Sequence, residues 1–310
     1  MIEDHFTYYR AGLNKDFCYI WTEKLNIMTK TVLVKKHSGE KQPFSKEKFT
    51  ESIVRAGATR DIAREVTDEV MSNLYNGIST REIYKNAFQI LRHKMRSLAA
   101  RYSLKSALLE LGPSGYPFEK FVGEIFRKEG FEVKTGQTIF GKCIQHEVDV
   151  VAEKENLTIM VECKYGNEQN KISGVQVPLY VNSRFNDIKS VWAQEERNHG
   201  KEFQGWIVTN TRFSSDAEIY GTCAGLHLVS WGFPDKGNLR EIVESKALFP
   251  VTAITTLNKK ERQYLLEKGI ILAEQLLGRY DLLEPFEFGS RKKESVIKEI
   301  EALSAVGKIL

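Results

Sequence analysis

Residues 147–164 read Glu147-Val148-Asp149-Val150-Val151-Ala152-Glu153-Lys154-Glu155-Asn156-Leu157-Thr158-Ile159-Met160-Val161-Glu162-Cys163-Lys164. Two β-type runs, near 147–153 and 157–164, decide the fold class. Side chains two apart in a strand share a face. Glu162 and Lys164 are therefore neighbours on one face, with Val161 and Cys163 on the other. An acid and a lysine in so apolar a run are costly to bury unless something pairs them. A bound cation meets that need. Asp149, on the preceding strand, brings a second carboxylate beside Glu162, and Glu147 would share its face. Two carboxylates completed by a backbone carbonyl and waters make a hard-oxygen site suited to Mg²⁺ or Mn²⁺. Lys164 would then orient or deprotonate a water for attack on a phosphodiester.

Just upstream, Phe118, Phe121, Val122, Ile125 and Phe126 fall at i, i+3, i+4, i+7 and i+8 of a helix expected over about 117–129. At about 100° per residue, Glu119 lies on the shoulder of this stripe and Glu124 turns toward solvent. Glu119 is the acid placed to lean toward the sheet, although the helix dipole alone also favours an acid there. Downstream, a helix near 174–196 carries Gln176 and Tyr180 one turn apart. Gln176 is the candidate to hydrogen-bond a phosphate or a water near Lys164. Strand-like runs at 205–210 and 226–231 and a helix at 215–224 continue the alternation, which specifies an α/β domain with a mixed sheet.

The flanks read differently. Residues 31–36 form a short β-type run and 38–40 a turn, followed by three or four helices up to 111, among them a single one from Arg96 to Leu111. Ser45 and Thr80 stand where caps belong. Residues 30–60 carry eight Lys and Arg against three Glu, and 81–105 carry seven against one, while the whole chain is only +4. Basic charge concentrated in this way fits a polyanion, either nucleotide phosphates or nucleic acid. Beyond Pro250 the chain is helical again. Asn258 and Glu261 have capping-box spacing, Gly269 ends that helix, and a last helix spans about 291–304. Lys259, Lys260 and Arg262 suit phosphates, or are simply an exposed helix start. The expected divisions are 1–27, an extension ahead of a candidate start at Met28, then 28–112, 113–248 and 249–310.

The composition excludes several classes. Hydrophobic residues make up 42% and charged residues 28% of 310, which rules out wholesale disorder. No apolar run approaches the ~20 residues that span a bilayer. Cys18, Cys143, Cys163 and Cys223 are far apart with no CxxC pair. This excludes a sequence-readable zinc ribbon or disulfide framework and favours a reducing, cytoplasmic setting.

Asp149, a twelve-residue gap and Glu162-x-Lys164 resemble the PD-(D/E)xK nuclease superfamily, and more narrowly its Mrr-like restriction endonucleases. Phe118-Glu119, Gln176-x-x-x-Tyr180, Phe213-Ser214-Ser215-Asp216-Ala217 and the run Leu226 to Trp231 also resemble that group, over about 116–235. His146-Glu147-Val148 replaces the group's usual proline or glycine before the aspartate. The resemblance implies Mg²⁺-dependent hydrolysis of double-stranded DNA. Asp149 and Glu162 would hold the metal, Lys164 assist the water, and Glu119 and Gln176 complete the site. It also implies a homo-oligomer.

Val34-Lys35-Lys36, Ser38-Gly39-Glu40, Pro43-Phe44 and Lys48 resemble the ATP cone, a nucleotide-sensing domain, over about 31–105. The family's phosphate-binding pair maps onto Lys35 and Lys36 and its helix lysine onto Lys48, implying ATP or dATP as a regulatory ligand. His37 and Ser38 stand ahead of Gly39 where the family has KRDG. The combined expectation is an α/β restriction-type nuclease behind a mostly helical ATP cone, with a small helical C-terminal segment. The alternatives are a non-catalytic nucleotide sensor that binds DNA and a structure-specific, Holliday-junction-type nuclease.

Overall fold

The computed structural model describes residues 32–305 apart from 37 and 169. The readings at Met28, Cys18 and His37 lie outside these residues. The described chain falls into two compact units, one of 32–51 with 60–87, the other of 52–59 with 88–305.

In the first unit, β1 (Leu33–Lys35) and β2 (Lys41–Pro43) pair antiparallel with Val34 opposite Gln42. Gly39 closes their turn at φ +88°, a conformation that costs glycine little. Helix α1 (Lys46–Arg55) starts behind Ser45, whose Oγ accepts the Lys48 N–H at 3.2 Å. Helix α2 (Arg60–Ser72) buries Ala63, Val66, Thr67 and Val70. Helix α3 (Thr80–Lys94) is capped one residue earlier than expected. Ser79 Oγ accepts the Glu82 N–H, and the Glu82 carboxylate accepts the Ser79 N–H. A reciprocal box satisfies two orphan amides where Thr80 alone would satisfy one.

The single helix expected from Arg96 to Leu111 is two, α4 (Arg96–Tyr102) and α5 (Leu104–Leu109). Ser103 breaks it by turning its Oγ onto Ala100 O, the competition with the backbone that makes serine a poor mid-helix residue. Next come α6 (Tyr116–Lys128), β3 (Glu132–Phe140), β4 (Gln145–Lys154), β5 (Leu157–Lys164), β6 (Ile172–Ser173) and α7 (Gln176–Trp192). They are followed by β7 (Glu202–Thr209), β8 (Arg212–Phe213), α8 (Ser215–Cys223), β9 (His227–Val229), α9 (Leu239–Lys246), α10 (Lys259–Glu267) and α11 (Ser290–Ser304).

The central sheet has the order β3-β4-β5-β7-β9. Its first two pairings are antiparallel and its last two parallel, the mixed sheet that the alternation predicts. One face packs on α6, whose Phe118, Phe121, Val122, Ile125 and Phe126 are all buried against Val150, Ala152, Ile159 and Val161. Each such side chain contributes roughly 1.5–3 kcal/mol on leaving water. The other face packs on α7 through Val148, Val151, Met160 and Ile188.

Residues 100–111 and the segment from Leu239 to Leu303 join the core beneath α6. Two polar pins fix them. Thr252 Oγ1 donates to Ala107 O at 2.7 Å. The buried Glu299 carboxylate accepts the N–H and hydroxyl of both Thr255 and Thr256 at 2.6–2.9 Å. The Asn258–Glu261 capping box forms as its spacing predicts.

Candidate active site at the end of the sheet

Alternation puts Glu162 and Lys164 on the α7 face of β5, while Val161 and Cys163 enter the α6 core. Glu162 is 7% exposed, and both of its carboxylate oxygens are held. Oε1 takes the Lys164 ammonium at 2.5 Å and the Tyr180 hydroxyl at 2.8 Å. Oε2 takes Arg184 Nη1 at 2.5 Å, and the same nitrogen donates to Glu147 O at 3.0 Å. Lys164 and Arg184 each also lie 5.4 Å from the centre of the Tyr180 ring. Tyr180 and Arg184 are i and i+4 on α7, so one helical stripe faces the acid. A cavity of about 20 Å³ lined by Val148, Met160, Val181, Phe185 and Ile188 adjoins Glu162 and Arg184.

Asp149 sits at a break in the ladder. The β4–β5 pairing runs from Lys154–Leu157 to Val150–Val161 and stops there. On the other side, the register skips from Thr135–Val150 to Gln137–Val148, with Gly136 between at φ +61°. Asp149 Oδ2 fills the opening and accepts the Cys163 N–H at 2.6 Å. Burial, then the charge of Glu162, raises its carboxyl to about 7, and Glu119 adds to the effect. Glu119 is raised as well, by burial and by Glu147 and Glu162. Burial opposes the Lys164 ammonium, but hydrogen bonding to Glu162 and Tyr180 outweighs it and holds the lysine protonated. The structure therefore brings Glu119, Asp149, Glu162 and Lys164 into one electrostatic cluster.

The other candidates fall differently. Gln176, the first residue of α7, is exposed and folds its amide over Gly174, where a Cβ would lie 2.4 Å from Gln176 Oε1. Its neighbours one and two turns on, Tyr180 and Arg184, are the residues that touch Glu162. Arg184 escaped the sequence reading although it continues the Gln176–Tyr180 spacing by one more turn. Glu124 pairs with Arg127 at 2.6 Å, away from the acids. His146 pairs with Asp187, Nε2 to Oδ2 at 2.7 Å.

The strand carrying the cluster is anchored past its end. Tyr165 donates to Leu109 O at 2.5 Å, and Asn210 brackets Gly166 with two 2.8 Å hydrogen bonds. In the first unit, Lys35 and Lys48 are exposed, and Lys36 pairs with Glu40 at 3.4 Å across the turn.

Among the described residues, no three His, Cys, Asp or Glu side chains converge to hold a metal ion by themselves. The donor set fits a small hard cation that keeps water ligands, with Asp149 and Glu162 as the protein ligands. The proton that Asp149 retains near neutrality reflects unanswered negative charge, which a dication would relieve.

Three families match in sequence. The ATP cone domain covers 32–108, the restriction endonuclease domain of the Mrr type 112–231, and the AF1548-like C-terminal domain 249–304. An uncharacterized protein of Archaeoglobus fulgidus is 31% identical over 179 residues, 57% of this chain and 97% of that protein. The crystal structure of AF1548, a protein of unknown function, is similar at 30% identity and a TM-score of 0.49, over 62% of this chain and 98% of that one. MspJI restriction endonuclease, in complex with a 27-mer oligonucleotide, is similar at 17% identity and a TM-score of 0.26, over 44% of this chain and 30% of that one. Among the described residues, no helix is long and apolar enough to cross a membrane.

Proposed function

Because this chain belongs to the AF1548-like family, with an ATP cone ahead of a restriction-endonuclease domain, we propose that it is a metal-dependent endonuclease of double-stranded DNA. The observation that carries this reading is the buried Glu162 held by Lys164 beside the part-buried Asp149, at the end of two strands that splay apart. Asp149 and Glu162 would hold Mg²⁺ or Mn²⁺. When bound, the cation acidifies water and offsets charge on the phosphate. Lys164, held protonated, donates a hydrogen bond to the attacking water or to a phosphate oxygen rather than taking a proton. Tyr180 and Arg184 fix the Glu162 carboxylate. Glu119 adds a third acid at the rim, and Gln176, exposed at the head of α7, is placed to contact a phosphate.

The biological setting that fits is restriction or defence, in the cytoplasm, by a homo-oligomer. ATP or dATP would regulate it through the cone, with Lys35, Lys36 and Lys48 on the phosphates. The test of the core claim is Asp149→Ala assayed on linear duplex and four-way junction DNA with Mg²⁺. Loss of cleavage with DNA binding retained supports it. Unchanged cleavage contradicts it, and cleavage confined to the junction makes the enzyme structure-specific instead.

A further inference from the structure

The strand end that carries the site continues into a hairpin that the chemistry above does not use. From Asp149, β4 runs back four residues to Gln145, about 13 Å at ~3.3 Å per residue. There it joins β3 through Gly141, Lys142, Cys143 and Ile144. Phe140 and Ile144 at this tip are 67% and 65% exposed, although Ile139 beside them is buried in the core. Single exposed apolar residues are ordinary. Two of them on a rigid tip, flanking a lysine, call for an occupant.

The tip is rigid because α7 grips it. The Asp187 carboxylate accepts the N–H of Cys143 at 2.9 Å and of Ile144 at 3.4 Å and pairs with His146, while Asp187 O accepts the Lys142 N–H at 3.2 Å. Gly141 N donates to Ile144 O at 2.8 Å, and a Cβ at Gly141 would lie 2.0 Å from Asp187 Oδ2. Asp187 lies on the stripe of α7 that carries Tyr180 and Arg184, at i, i+4 and i+7. One helix thus holds both the catalytic acid and the hairpin.

The charge of the hairpin names its partner. Residues 133–146 hold two lysines and no acid, with Thr135, Gln137, Thr138, Gln145 and His146 as the other polar groups. This is a surface for phosphates and base edges rather than for an acidic or purely apolar protein face.

We infer that the β3–β4 hairpin is a DNA wedge, in which Phe140 and Ile144 enter a groove and unstack a base step while Lys142 meets the backbone. Rigid apolar side chains inserted between base steps in this way lower the cost of bending the duplex. At ~3.4 Å per step, 13 Å places the disturbed step about four base pairs from the scissile phosphate. The inference rests on the nuclease reading.

The test uses the full chain with Ca²⁺ in place of Mg²⁺ and duplexes carrying 2-aminopurine at successive positions. Wild type is expected to raise the fluorescence at least two-fold at one or two adjacent steps. The F140S/I144S double variant is expected to lose that rise and bind about ten-fold more weakly at an unchanged melting temperature, since both side chains are exposed. Tight DNA binding without a fluorescence rise at any position overturns the wedge and leaves the nuclease reading standing. A variant that binds DNA normally but changes sedimentation assigns the tip to a second copy of the chain and overturns it as well. Failure of wild type to bind duplex DNA overturns both.

Discussion

Arg184 holds Glu162 Oε2 at 2.5 Å while Lys164 and Tyr180 hold Oε1, so the central acid of the site is saturated by donors from its own chain. Cations therefore occupy the carboxylate that a metal would need, and metal entry has to displace some of that pairing.

Replacing Arg184 tests this competition. Removing one partner of a buried pair leaves an uncompensated charge, which costs several kcal/mol when both groups are fully buried. Arg184 is 29% exposed, so Arg184→Ala is expected to cost about 2 kcal/mol without metal. Mg²⁺ should restore part of it by taking over the charge. Melting temperatures with and without Mg²⁺ check this, and an equal loss in both conditions counts against the account.

Asp149 gives a pH dependence. Its folded carboxyl is raised from 3.8 to about 7. A raised value means that the group favours the fold fully below about pH 3.8, and that this contribution is lost as pH rises toward 7. In metal-free protein, Asp149→Asn should be stabilising at pH 8, by up to about 4 kcal/mol at ~1.4 kcal/mol per pH unit, and close to neutral at pH 4. Urea midpoints at the two pH values measure it. Added Mg²⁺ should stabilise wild type but not the variant.

Legibility in the sequence tracked locality. Strand alternation alone gave the shared face of Glu162 and Lys164, and the apolar spacing gave the buried stripe of α6, because both depend on neighbours in the chain. What holds Glu162 did not follow in the same way. Tyr180 and Arg184 reach it from a helix that starts twelve residues after Lys164, and only the third dimension says which residues of that helix face the sheet. Gln176 shows the limit, since the right spacing begins one turn before the contacts do. The break at Ser103 is a local rule that the apolar pattern of 96–111 concealed.

Asp187 predicts an acid limb. Its hydrogen bond with His146, together with those from Cys143 and Ile144, lowers its carboxyl to about 2. A depressed carboxyl stabilises above its unfolded value of 3.8, and that contribution fades as pH falls from 3.8 toward 2. Wild type should therefore exceed Asp187→Asn in urea midpoint at pH 5, and the gap should shrink by pH 2.5. A gap independent of pH would place the effect in packing instead.

Tyr165 ties the residue after Lys164 to the end of α5. Tyr165→Phe removes one hydrogen bond, about 1 kcal/mol, and should lower the melting temperature by roughly 2–4 °C. If the tether positions Lys164, the turnover rate falls several-fold with metal affinity unchanged. Unaltered turnover would make Tyr165 purely structural.

The most direct test is plasmid nicking with Mg²⁺ by wild type and Lys164→Ala, each with and without ATP or dATP. The account predicts nicking by wild type, loss of at least a hundred-fold in the variant, and a changed wild-type rate on adding nucleotide. Absence of metal-dependent nicking under every nucleotide condition, or equal nicking by the variant, would contradict it.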